Sequence, residues 1–183
     1  MQAFSLIGKS ILITGASSGI GRAMAIACAE AGAQLVISGR NTERLTETLH
    51  LLQGEGHSIC MADLTNEDEL AALVDFVPKL DGFVSNAGIA NPLMLQFVEK
   101  QDVEQILNIN AISVIHLTRL LLQEKKLKKN ASVVFTSSVN GNRCVYIGST
   151  LYAASKAMLI GFMKATALEL APKGIRVNSI EPG

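Results

Sequence analysis

The 183-residue chain has no tryptophan, two tyrosines, four prolines and three cysteines, and only 17% of its residues are charged. Cys28, Cys60 and Cys144 are odd in number, far apart and without a CxxC pair, and His50, His57 and His116 are equally scattered. A disulfide framework and a structural zinc site are therefore excluded, no metal is expected, and the thiols read as reduced core residues. Neither sign of charge is in excess, since 16 Lys and Arg balance 16 Asp and Glu. The overall electrostatic footprint of a nucleic-acid or anionic-membrane binder is missing, which leaves a small-molecule partner. No run approaches the roughly 18–20 apolar residues of a membrane span, and residues 1–9 lack the basic segment of a secretory leader. A cytoplasmic location is expected.

Hydrophobic residues make up 49% of the chain, enough to bury a large core. Neither a repeat nor a Pro/Gly/Ser-rich linker divides it, so residues 1–183 read as one domain. Strand signals alternate with helix signals. Residues 11–13 (Ile-Leu-Ile), 35–37 (Leu-Val-Ile), 58–61, 82–84, 132–135 and 175–180 read as strands, and residues 20–31, 42–52, 103–127 and 151–170 as helices. A further helix is expected to start at an N-cap on Thr65, with Glu67, Asp68 and Glu69 in its first turn, and to end before Pro78. The basic run at residues 124–129 is expected at a helix C-terminus, where it complements the helix dipole. Apolar strands alternating with helices give an α/β fold, a doubly wound parallel sheet of order 3-2-1-4-5-6.

The first strand-to-helix turn reads Thr14-Gly15-Ala16-Ser17-Ser18-Gly19-Ile20-Gly21. Glycines there allow a tight turn and let backbone amides approach a pyrophosphate at the positive end of the next helix. The spacing GxxxGxG departs from the usual GxGxxG. Farther on stand Asp63-Leu64, Asn86-Ala87-Gly88, Ser138, the YxxxK unit Tyr152 to Lys156, and the NSIEPG stretch at residues 178–183. In order and position these resemble the motifs of the short-chain dehydrogenase/reductase family, over essentially the whole chain.

That resemblance implies a dinucleotide held by residues 15–21, principally Gly15, Ser17, Ser18, Gly19, Ile20 and Gly21. It implies adenine against Asp63 and Leu64, a cofactor border at Asn86, Ala87 and Gly88, and nicotinamide beside Pro182 and Gly183. It also implies a catalytic set of Asn110, Ser138, Tyr152 and Lys156. Ser137 competes with Ser138, and Asn108 with Asn110. Tyr152 exchanges a proton with the substrate oxygen, and an ammonium four residues on, on the same helix face, favours the phenolate. Lys156 also binds the nicotinamide ribose, Ser138 holds the substrate oxygen, and Asn110 holds a water that relays protons. At the end of the second strand no carboxylate awaits a ribose 2′-hydroxyl; Gly39 leaves room and Arg40 offers a fork of donors suited to a 2′-phosphate. NADP(H) is the expected cofactor.

The expected function is hydride transfer between NADP(H) and a ketone or secondary alcohol, a 3-oxoacyl thioester being one candidate. The alternative is a catalytically silent NADP(H)-binding sensor or scaffold. Family members continue past the Pro-Gly pair into a helical lid and a seventh strand. Residues 1–183 are thus expected to form the dinucleotide-binding and catalytic domain without those parts, with the sixth strand at a sheet edge. Arg143, Cys144 and Tyr146 are candidates to line the substrate pocket. The apolar excess of the helix at residues 103–127 and the family's packing imply a homodimer or homotetramer.

Overall fold

The computed structural model describes residues 4–183; residues 1–3, part of the segment read as free of leader features, lie outside it. Six strands form one sheet: β1 (Ser10–Thr14), β2 (Gln34–Gly39), β3 (Ser58–Met61), β4 (Leu80–Ser85), β5 (Leu127–Thr136) and β6 (Arg176–Ile180). Every pairing is parallel and the order is β3-β2-β1-β4-β5-β6, as the alternation predicts. The helices are α1 (Gly19–Glu30), α2 (Thr42–His50), α3 (Glu67–Phe76), α4 (Lys100–Leu107), α5 (Ser113–Gln123) and α6 (Thr150–Leu170).

Period-2 alternation splits each apolar strand between two cores. Ile11, Ile13, Leu35 and Ile37 pack with Ala25 and Ala29 of α1 and Leu45 of α2 on one face. Leu12, Val36, Phe83, Val133 and Phe135 pack on the other with Leu70 and Leu73 of α3, Leu117 of α5 and Leu159 of α6. Small alanines let α1 lie close to the sheet. The order reverses between β1 and β4, and at such a switch point the carboxyl ends of a parallel sheet leave a crevice.

Several details differ from the expectations. The N-cap of α3 is Asn66, not Thr65: its Oδ1 accepts from the amides of Asp68 and Glu69. Thr65 instead donates through its amide and hydroxyl to Asp63 Oδ1. The helix expected at residues 103–127 begins at Lys100, passes through a π turn at Asn108–Ile112, and ends at Gln123. The basic run therefore does not close a helix. Leu127 is already in β5, Lys126 Nζ donates to the Asp75 and Val77 carbonyls at the end of α3, and Lys128 pairs with Asp81 at 2.7 Å. Lysine fits these carbonyls as well as those of its own helix, because the free carbonyls of any helix C-terminus attract a cation.

The helical stretch Lys100–Gln123 is long enough, and in mean hydropathy apolar enough, to cross a membrane, although polar residues interrupt it and it contains no run of 18 apolar residues. Its Ala111, Val114, Leu117 and Leu121 are fully buried against the sheet, so the apolar surplus goes into the core. Cys144 is exposed in a loop rather than in the core, whereas Cys28 and Cys60 are half-buried and burial pushes both thiols up.

Candidate functional site

A cleft of about 680 Å³ runs across the carboxyl ends of β2, β1, β4 and β5. Its walls include Gly15, Ser17, Ser18, Gly19, Ile20, Arg40, Asp63, Leu64, Asn86, Ala87, Gly88, Ser138, Tyr152, Lys156, Pro182 and Gly183. Gly21 and Asn110 lie behind its surface, both buried. The residues expected to bind the cofactor or to act in catalysis thus line or back one crevice.

The turn between β1 and α1 depends on missing side chains. Gly15 has φ +66°, and a Cβ there would stand 2.7 Å from Ala87 Cα. A Cβ on Gly21 would collide with the Gly15 carbonyl oxygen. Asn86 fastens β4 to this turn: Nδ2 donates to the Gly15 carbonyl at 3.2 Å, and its amide to Thr14 Oγ1. The N-cap of α1, Ser18, makes no side-chain cap, and the first turn carries no acid. In α3 the corresponding positions hold Asn66 and three acids. The start of α1 therefore keeps its positive end open to the cleft, where an anion would be stabilised.

At the far end of β2, Arg40 is exposed, with Nη1 3.9 Å from Asp63 Oδ2. Hydrogen bonds from the Thr65 amide and hydroxyl, with the Arg40 charge as a lesser cause, hold the Asp63 carboxyl below its ordinary range. Asp63 therefore both closes a turn and faces the cleft. Two buried hydroxyls lining the cleft, Ser38 Oγ and Thr136 Oγ1, have no hydrogen-bond partner. Neither was singled out in the sequence; a serine or threonine at a strand end gives no signal until its lack of partners is seen.

At the opposite end, α6 presents Tyr152 and Lys156 one turn apart. Lys156 is 3% exposed, and Nζ donates to the Thr136 carbonyl at 2.8 Å and lies 5.8 Å from the Tyr152 ring centroid. Burial without a carboxylate partner lowers its pKa from 10.5 to about 8. Ser137 and Ser138 have different partners. Ser137 Oγ donates to the Lys156 carbonyl, tying β5 to α6. Ser138 Oγ lies 3.2 Å from Asn140 Oδ1 and 3.5 Å from the Pro182 carbonyl, and accepts from the Asn140 amide at 3.3 Å.

Asn110 sits in the π turn and is fully buried. Its Oδ1 accepts from the Ile89 amide and its Nδ2 donates to the Ile89 carbonyl, both at 2.8 Å, while Nδ2 also reaches Ser155 Oγ at 3.0 Å. Both amide protons and one lone pair are committed. Asn108 has no such network, and a single π turn commonly marks a place where a helix yields to position a side chain. Of Arg143, Cys144 and Tyr146, only Tyr146 lines the cleft; Arg143 Nε pairs instead with Glu181 at 3.5 Å.

The family model for short chain dehydrogenases matches residues 9–183. The chain is 35% identical over 181 residues to the 3-oxoacyl-[acyl-carrier-protein] reductase FabG of Rickettsia felis, covering 97% of this chain and 73% of that protein. It is 35% identical over 184 residues to the 7alpha-hydroxysteroid dehydrogenase of Escherichia coli K12, covering 97% and 71%. Among solved structures, a short chain dehydrogenase from Burkholderia cenocepacia in complex with NADP superposes with a TM-score of 0.89 at 33% identity, over 97% of this chain and 75% of that one. Fold, motif order and relatives agree, and the chain belongs to the short-chain dehydrogenase family of oxidoreductases.

Proposed function

We propose that the protein interconverts a ketone and a secondary alcohol with NADP(H). The observation that carries this reading is the single cleft with an open helix N-terminus and Arg40 at one end and the Tyr152, Lys156 and Ser138 groups at the other. The residues fit a dinucleotide. The crowded Gly15 and Gly21 admit a backbone-lined phosphate site, and the unpartnered Ser38 and Thr136 hydroxyls offer polar contacts in the cleft. The end of β2, Ser38-Gly39-Arg40, carries no carboxylate of its own, and Arg40 favours a 2′-phosphate over a bare 2′-hydroxyl. The relative described as an NADP complex supports the same choice, and those named 3-oxoacyl reductases support a carbonyl substrate.

When bound, the nicotinamide supplies or accepts the hydride. In the reducing direction, Tyr152 Oη gives its proton to the carbonyl oxygen and Ser138 Oγ donates to that oxygen, having turned from Asn140 Oδ1. Lys156, protonated below about pH 8, supplies positive charge beneath Tyr152 and holds the cofactor ribose. Beside the water-holding role implied by resemblance, the Asn110 side-chain amide ties Ile89 to Ser155 and so helps to set where Lys156 and Tyr152 stand. The Leu93 amide donates to the Gly148 carbonyl, joining two loops whose Met94, Leu95, Val145 and Ile147 are exposed beside Tyr146. This apolar rim supports a substrate with an apolar portion. Exposed Ile112 at the N-cap of α5 and exposed Met158 and Leu168 on α6 support a homo-oligomer.

The test is turnover of a carbonyl panel, 3-oxoacyl thioesters included, with NADPH and with NADH. Preferred use of NADPH is expected; tight NADPH binding without turnover on any carbonyl would favour the silent binder.

A further inference from the structure

The Arg22 side chain is 27% exposed and belongs to no motif used above. Its Nη2 donates to the Ser17 carbonyl at 2.7 Å and to the Arg44 carbonyl at 3.2 Å, and Nε to Thr48 Oγ1 at 2.9 Å. Nη2 also pairs with Glu47 at 3.0 Å. The fully buried Thr48 hydroxyl in turn lies 2.9 Å from the Ala16 carbonyl. Two side chains from α1 and α2 thus hold two successive carbonyls of the glycine-rich turn.

No cis peptide occurs among the described residues, and in a trans peptide the amide of residue i+1 points opposite to the carbonyl of residue i. Drawing the Ala16 and Ser17 carbonyls toward Arg22 and Thr48 aims the amides of Ser17 and Ser18 the other way. Ser17 and Ser18 line the cleft, and their amides have no acceptor among the hydrogen bonds of the described residues. Such amides, preset before the ligand arrives, bind an anion without a cost in reorganisation.

We propose that Arg22 and Thr48 are positioning residues for a diphosphate: they hold the turn in its anion-binding form while touching no ligand themselves. The proposal rests on the dinucleotide reading of the cleft. It predicts an effect that follows the diphosphate and is indifferent to the 2′-phosphate, unlike that of Arg40.

The test is calorimetric titration of the parent, Arg22→Met, Arg22→Lys, Thr48→Val and Glu47→Ala proteins with NADPH, NADH and adenosine, with circular dichroism to establish the fold. Folded Arg22→Met and Thr48→Val should bind NADPH and NADH about ten- to a hundredfold more weakly, by the same factor for both. Their adenosine affinity should stay within about twofold. Arg22→Lys, which keeps one donor but loses the fork, should fall between, and Glu47→Ala should match the parent. Unchanged dinucleotide affinity in folded Thr48→Val and Arg22→Met overturns the proposal, as does an equal loss for adenosine, which would mean general collapse of the cleft. If the parent binds neither dinucleotide, the functional reading itself fails and the clamp falls with it.

Discussion

Asn110 Nδ2 stands 3.0 Å from Ser155 Oγ, whose own proton goes to the Tyr152 carbonyl at 2.7 Å. Through Ile89 on one side and Ser155 on the other, one buried amide joins the loop after β4, the π turn and the first turns of α6. Asn110→Leu leaves the part-buried Ile89 amide and carbonyl without their side-chain partner. It should cost about 2–4 kcal/mol of stability in urea unfolding, and Ser155→Ala about 1–2 kcal/mol. The double variant should lose less than the sum, since the two share one network.

Ser137 and Ser138 are adjacent yet separable. Ser138→Ala should reduce turnover by about a hundredfold or more with little change in Tm, because that hydroxyl's partners are weak and partly local. Ser137→Ala should do the reverse, costing about 1 kcal/mol through loss of its bond to the Lys156 carbonyl while retaining most turnover. Steady-state kinetics beside thermal unfolding separates the two.

Lys156 links activity to stability through pH. Its pKa in the folded protein, about 8, lies below the ordinary 10.5, so between these values the unfolded chain holds the extra proton. Stability from this group therefore rises as pH increases across the window, and the cost of burying the cation is fully present below pH 8. Lys156→Met should abolish turnover yet stabilise the ligand-free protein at pH 7 by about 1–3 kcal/mol, with the advantage shrinking toward pH 10. Urea unfolding of both proteins across pH 7–10 measures this.

Arg40 is expected to act on one cofactor only. Arg40→Ala should weaken NADPH about ten- to a hundredfold and leave NADH within about twofold. Since Arg40 lies only 3.9 Å from Asp63, removing it should also raise the Asp63 carboxyl slightly, visible by NMR titration.

The sheet was legible because its strands are short, apolar and interrupted by helix signals; Ile11 to Ile13 and Leu35 to Ile37 cannot be anything but buried. The long helix was legible in existence but not in its end. Gln123, Glu124, Lys125 and Lys126 are all good helix formers, and only the conformation of Lys125 (φ +51°), which no composition signal reveals, marks where the chain turns before β5 begins at Leu127. The N-cap fell one residue late, on Asn66, because Thr65 and Asn66 are both good caps and tertiary contact with Asp63 chose between them. Tyr152 and Lys156, whose spacing is common by chance, could be singled out from the sequence because the other motifs stand in order with them. Arg22 and Thr48 could not, since their partners at the turn are backbone carbonyls, which carry no sequence signal.

The most direct measurement of the central claim is the rate of NADPH consumption with a ketone and 3-oxoacyl-thioester panel, for the parent and Tyr152→Phe, alongside NADPH affinity for each. The account predicts parent turnover on at least one carbonyl and a loss of about a hundredfold or more in Tyr152→Phe, with affinity nearly unchanged. A Tyr152→Phe protein that reduces the same carbonyl as fast as the parent would contradict it.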